Sequence, residues 1–178
     1  MKKTLLAVLL ALLWTVSGAM AADLKVGDPA GGFKLKDPTG KEYSLDAAPY
    51  AGKVVIVFYA DPGSKDLNND LQNALKSARE SGKIDRKNYE GLGVVNLKDS
   101  VLPDWMLKRV IKSKQEETKA TILVDPNYAL LNQWGLTKKT SNIILLDKQR
   151  ICRYLYKGKV PPADVAKVIG LVQEYQVK

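Results

Sequence analysis

Val54-Val55-Ile56-Val57-Phe58-Tyr59-Ala60, followed at once by Asp61-Pro62-Gly63-Ser64, is the stretch that decides the fold. From Val54 to Tyr59 the run is apolar without alternation, and Gly52 and Pro62 bound it. A strand with one face in water alternates polar and apolar residues. This one does not, so it must be covered on both faces, as in a sheet sandwiched between helices. The next segment, Ser64 to Ser81, repeats Leu67, Leu71, Ala74, Leu75 and Ala78 at helical spacing. Ser64 is expected to cap that helix, and Asp66 suits the positive end of its dipole.

The same reading extends outward in both directions. Gly91 to Leu97 is expected as a second inner strand, and Pro103 to Glu117 as a helix with Leu107, Val110 and Ile111 inward. Thr121 to Val124 reads as a short strand, and Tyr128 to Trp134 as a short helix stopped by Gly135. Ser141–Leu146 and Ile151–Tyr156 form two strands across the Asp147–Arg150 loop, and Pro162–Tyr175 closes the chain as a helix. Upstream, Phe33–Leu35 and Glu42–Ser44 make a hairpin around Asp37-Pro38-Thr39-Gly40. This order gives an α/β sandwich with a mixed central sheet. No repeat, low-complexity stretch or linker divides it, so residues 22–178 are expected to form one domain.

The first residues read as an address. Met1-Lys2-Lys3 is basic, Thr4 to Val16 is apolar, and Ala19-Met20-Ala21 is a small-residue cleavage pattern. These are the three parts of a secretory signal peptide, and the apolar run is shorter than the ~20 residues of a membrane span. Residues 1–21 are therefore expected to be removed, leaving a soluble periplasmic protein with no membrane span. The whole chain of 178 residues carries +9, which falls to +7 without Lys2 and Lys3. It has no His and one Cys. Zinc sites of the Cys/His kind, a Ser-His-Asp triad and a CxxC centre are excluded on that count, and no metal or cofactor is expected.

The motifs VGDPAGGFKLKDPTGKEYSL (26–45), GKVVIVFYA (52–60), ATILVDPNYALLNQWGL (120–136) and SNIILLDKQRICRYLYKG (141–158), in this order, resemble the YtfJ-like family of exported bacterial proteins within the thioredoxin-like superfamily. The resemblance covers almost all of the chain after the signal. It implies a thioredoxin-like three-layer sandwich, with helices on both faces of a mixed sheet and an N-terminal hairpin extension. Redox-active relatives carry Cys-x-x-Cys after the strand that ends here in Phe58-Tyr59-Ala60, and those positions fall on Gly63 and Asp66. A carboxylate or a bare glycine cannot exchange thiols. Where such relatives place a cis-proline this chain has Ser141, whose preceding bond is then expected to be trans. The resemblance thus implies a scaffold without its redox site.

The loop Asp61, Gly63, Ser64, Lys65 and Asp66, with Ser141 and Asn142 beside it, is the candidate ligand or partner site. Lys65 and free amides could receive an anion, or the two aspartates a cation. The plain alternative is a turn and helix cap, for which Asp, Pro, Gly and Ser are the ordinary residues. Cys152 is either a reactive thiol activated by Arg150 and Arg153 or buried filler. It is expected to share a strand face with Tyr154 and Tyr156. Trp105 and Trp134, on helices, could line a pocket, but aromatic residues on amphipathic helices are usually core. The overall expectation is a non-catalytic binding or accessory protein of the cell envelope. Its partner would be an envelope protein or an anionic ligand, with the oligomeric state left open. A single-thiol redox protein using Cys152 is one alternative, and a polyanion or nucleic-acid binder is another. Nucleic acid is not expected as a partner, because no groove-entering motif accompanies the lysines.

Overall fold

The structure is a computed structural model that describes residues 23–178. The expected signal peptide, residues 1–21, lies outside the described residues. The strands are β1 (Lys34–Lys36), β2 (Glu42–Ser44), β3 (Val54–Ala60), β4 (Tyr89–Asn96), β5 (Thr121–Asp125), β6 (Ser141–Leu146) and β7 (Cys152–Lys157). The helices are α1 (Asn69–Glu80), α2 (Asp104–Thr118), α3 (Ala129–Gln133) and α4 (Pro162–Val177). One seven-stranded sheet runs in the order β2-β1-β5-β4-β3-β6-β7. The apolar run 54–60 is an interior strand, with β3 parallel to β4 and antiparallel to β6. Six of its seven residues are buried.

Alternation along β3 divides the core. Val54 and Ile56 face one layer, where Leu71, Leu75 and Ala78 of α1 meet Val168 and Val172 of α4. In the same layer Leu107 and Ile111 of α2 pack on Leu97 and Val124. Val55, Val57 and Tyr59 face the opposite layer. That layer has one short helix, α3, and is otherwise built by the chain before β3: Leu24, Ala30, Phe33, Leu45 and Tyr50. Trp134, 1% exposed, anchors it. Its indole N–H donates to the Gly31 carbonyl at 3.0 Å, and its ring meets Phe33 edge-on at 6.1 Å. An indole buried with its one donor satisfied contributes area without a desolvation penalty. The expected sandwich, mixed sheet and edge hairpin are therefore present, but the second layer is more coil than helix.

Four local expectations are corrected. Helix α1 begins at Asn69, not at Ser64, because Pro62–Asn68 is a succession of turns. Leu67 consequently lies outside the helix and on the surface. On α2 the buried stripe is only Leu107 and Ile111, one turn apart. Trp105 precedes Leu107 by two positions, about 200° around the helix at 3.6 residues per turn, and is 61% exposed rather than in the core. Val110, expected inward, is exposed as well.

The fourth correction concerns Cys152. Leu145 pairs with Tyr154 but Leu146 pairs with Cys152, so Arg153 is an extra residue at a bulge. One extra residue reverses the faces of a strand. Cys152 joins the layer of Trp134, whereas Tyr154 joins the layer of α4. The expectation that they share a face fails for that reason.

Candidate functional site

The parallel strands β3, β4 and β5 end at Ala60, Asn96 and Asp125, on one edge of the sheet. Ser141 begins β6 opposite Ala60, and Lys157 ends β7 opposite Asn142. The carboxyl edge therefore gathers the loop after β3, the start of β6 and the loops after β4, β5 and β7. The sequence-derived candidates Asp61, Gly63, Ser64, Lys65, Asp66, Ser141 and Asn142 all sit on this edge.

Asp61 is buried and closes its own loop. One carboxylate oxygen accepts the amides of Gly63 at 2.8 Å and Ser64 at 3.0 Å, and the other accepts the Ser64 hydroxyl at 3.0 Å. Ser64 thus serves the turn and does not cap α1. Lys65 and Asp66 are exposed and pair with each other. The Lys65 contact holds the Asp66 carboxyl below its ordinary value. Ser141 and Asn142 are buried. The Ser141 carbonyl accepts the Gly158 amide at 2.7 Å. The Asn142 amide both accepts from Thr137 N and donates to Thr137 O, each at 2.9 Å, which fastens the loop before β6. The bond preceding Ser141 is trans, and the cis peptide bond of the described residues is Ala48–Pro49. With Asp61 and Asn142 committed to their own loops, Lys65 and Asp66 are the groups of this set that face solvent.

Residues that the sequence does not single out complete the edge. Asn68 is buried where a helix cap is expected, but its amide reaches the loop after β7. It donates to Gly158 O at 3.0 Å and accepts from Val160 N at 2.8 Å. Asp125 is fully buried and takes the Tyr59 hydroxyl at 3.0 Å. It also accepts the amides of Ala129, Leu130 and Leu131 at 2.7, 3.0 and 3.3 Å. An acidic residue ahead of a helical segment is a cap signal legible in Asp125-Pro126. Tyr128 donates to Asp99 at 2.8 Å, and Asn96 also bonds Asp99. No sequence signal joins Asn96, Asp99 and Tyr128; the end of β4 with its loop and the loop after β5 bring them together. Lys98 and Lys138 stand over the Tyr128 ring at 5.8 and 4.3 Å.

Beside this edge a cleft of about 530 Å³ opens between the β1–β2 turn, the end of β5 and α2. Lys34, Lys36 and Lys108 line it with Asp37 and Glu42. Among the described residues no group of three or more Cys, Asp or Glu side chains is placed to hold a metal ion.

Cys152 lies far from this edge. Through Leu146 it is level with Val55, five residues back along β3 from Ala60, or roughly 17 Å at the strand rise. It is 0% exposed, and the chain at Gly27–Ala30 is hydrogen-bonded over the start of β7. Burial pushes its thiol up to about 11. The charge of Arg153 does not offset that burial, and both arginines are engaged elsewhere. Arg153 pairs with the buried Asp147 at 2.7 Å. Arg150 donates to the carbonyls of Lys53 at 3.0 Å and of Leu45 and Tyr50 at 2.8 Å.

Comparison with known proteins agrees with this architecture. Residues 20–175 match a family described as a bacterial protein of unknown function, YtfJ_HI0045. A Haemophilus influenzae protein is 28% identical over 130 residues, covering 71% of this chain and 68% of the relative. The Escherichia coli protein YtfJ is 26% identical over 136 residues, covering 72% and 70%. Among solved structures, a thiol-disulfide oxidoreductase from Bacteroides fragilis superposes with a TM-score of 0.60 at 12% identity, covering 81% of this chain and 99% of that one. An exposed lipoprotein thioredoxin from Streptococcus pneumoniae gives 0.59 at 21% identity, covering 79% and 99%. At these identities the likeness concerns the fold, which is thioredoxin-like.

Proposed function

The chain belongs to the YtfJ_HI0045 family of bacterial proteins, and on that footing we propose that it is a thioredoxin-fold binding or accessory protein of the cell envelope, without thiol-exchange chemistry of its own. In this reading residues 1–21 direct export and are removed, and the remainder works as a soluble periplasmic protein. The observation that carries the proposal is the state of the loop after β3. It contains no sulfur, and Asp61 spends its carboxylate on Gly63 and Ser64. Thiol exchange needs an accessible thiolate. The one Cys of the chain is sealed in the far end of the core with its thiol pushed up to about 11. What remains for a partner or anionic ligand is the exposed Lys65–Asp66 pair of that loop.

Two experiments test this. Incubated with insulin and a reductant, or with peroxide, the protein should give no turnover above a blank; sustained turnover refutes the reading. Pull-down from envelope extract should recover a partner with the intact protein and lose it with the Lys65→Ala, Asp66→Ala double variant. Fractionation that recovers the protein only from the cytoplasm would overturn the envelope assignment.

A further inference from the structure

Three apolar side chains project together where the loop after β4 enters α2. Val101 is 99% exposed, Leu102 40% and Trp105 61%. Scattered surface hydrophobics are ordinary, but a valine, a leucine and a tryptophan within five residues form one patch. None of the three lines the cleft, and Val101 stands almost wholly in solvent.

Cations flank it on α2 and in the loop that carries it. The Arg109 guanidinium lies 5.8 Å from the Trp105 ring. Lys98 and Lys138 converge on Tyr128, whose hydroxyl is bonded to Asp99 within the same loop. Lys139 adjoins Lys138, and Lys108 faces the cleft with Lys34 and Lys36. The carboxylates near the tip are Asp99 and Asp104. Asp99 is occupied by Asn96 and Tyr128, and Asp104 sits in the first turn of α2, where the helix dipole favours it.

We propose that the Val101–Leu102–Trp105 tip docks the protein reversibly on an anionic phospholipid bilayer. Aliphatic side chains enter the boundary between headgroups and acyl chains, tryptophan prefers that boundary, and lysines and arginines around it are drawn to anionic headgroups. A folded protein partner would anchor such residues in a pocket matched to them, and bind best to a flat or concave face. An exposed apolar segment flanked by Arg109 and Lys98 fits a soft, negatively charged surface better. No helix among the described residues is long and apolar enough to cross a membrane; the contact proposed for the tip is peripheral. This inference is independent of whether the β3 loop has lost redox chemistry.

The test uses the protein as recovered from cells, with its N-terminus fixed by mass spectrometry. It is sedimented with vesicles of equimolar phosphatidylglycerol and phosphatidylcholine, or of phosphatidylcholine alone. We expect binding to the anionic vesicles that weakens with salt, much less binding to the neutral ones, and a loss of about tenfold or more in the Val101→Ser, Leu102→Ser, Trp105→Ser variant. The fluorescence lost in the single Trp105→Ser variant should be the component that shifts to the blue on anionic vesicles, since Trp134 is already buried. Because the replaced residues are exposed, unchanged circular dichroism and melting temperature should accompany the loss. Equal sedimentation of wild type and triple variant overturns the proposal, as does absence of binding to anionic vesicles. Co-purification of a protein lost in the triple variant, without vesicle binding, would assign the tip to a protein partner instead and equally overturn it.

Discussion

Asn68 and Val160 are joined across the carboxyl edge: the Asn68 carbonyl oxygen accepts the Val160 amide at 2.8 Å while its amide nitrogen donates to Gly158. One buried side chain thereby fixes the loop after β3 to the loop after β7. The residue in the N-cap position of α1 thus makes no cap bond, its side chain being spent on another loop.

Replacing Asn68 by Ala leaves a buried amide and a carbonyl without partners. We expect a loss of about 2 kcal/mol, read as a lower midpoint in urea with the slope unchanged. Amide exchange should accelerate together at Gly63–Asn69 and Gly158–Val160. If only one of the two loops loosens, the coupling assigned to Asn68 is wrong.

Arg150 clamps three carbonyls from the segment before β3 with a side chain that is only 12% exposed. Arg150→Ala should cost about 3 kcal/mol, because the carbonyls of Leu45 and Tyr50 are left in a buried layer. Arg150→Lys should recover little of it, as an ammonium cannot reproduce the planar fork. Thermal denaturation of the two variants side by side decides the point: full recovery by lysine would show that charge, not geometry, is what matters.

Acid stability has an identifiable contributor in Asp37, which is buried at the β1–β2 turn. Burial alone would raise its carboxyl. The Thr39 hydroxyl at 2.6 Å and the amides of Thr39 at 2.8 Å and Lys41 at 3.1 Å outweigh burial and hold it below 3.8. A depressed carboxyl stabilises the fold in full above its unfolded value, and that stabilisation disappears as pH falls through the folded value. The Asp37→Asn variant should therefore be weaker than wild type at neutral pH by about 1 kcal/mol, with the gap closing in acid. Urea midpoints across a pH series would show this, and a gap that stays constant with pH would contradict it.

The thiol of Cys152 should resist alkylation in the native protein and react fully once urea unfolds it. With its pKa near 11, raising the pH from neutral to mildly alkaline should increase the native rate only in proportion to the small thiolate fraction. Rapid native labelling at neutral pH would contradict the sealed position of the sulfur and revive a thiol-based activity.

Much of the fold can be read from the chain because its strongest signals are local. The unbroken apolar run of β3 and the equally apolar Ser141–Leu146 announce buried strands, and β6 has the bounds that its composition implies. Helix starts and faces are less legible where a residue serves a distant element. Ser64 looks like a cap until Asp61 claims it, and nothing in sequence points Asn68 at Val160. Trp105 illustrates the converse. Aromatic residues on helices are usually buried, but α2 needs only Leu107 and Ile111 to pack on β5 and the end of β4, which leaves the indole to water. The candidate loop itself is legible as a turn. Its surroundings, Asp125 with Tyr59 and Tyr128 with Asp99, depend on strand ends far apart in sequence.

The single extra residue Arg153 makes β7 a seam stitched through both sides of the protein: its first residue fastens one layer and its third the other. Deleting Arg153 would leave Leu146–Cys152 and Leu145–Tyr154 as consecutive pairs of an ordinary strand, so both side chains would keep their layers. What the protein would lose is the guanidinium that neutralises Asp147, a carboxylate buried at the hairpin. The extra residue therefore matters for its charge more than for its length.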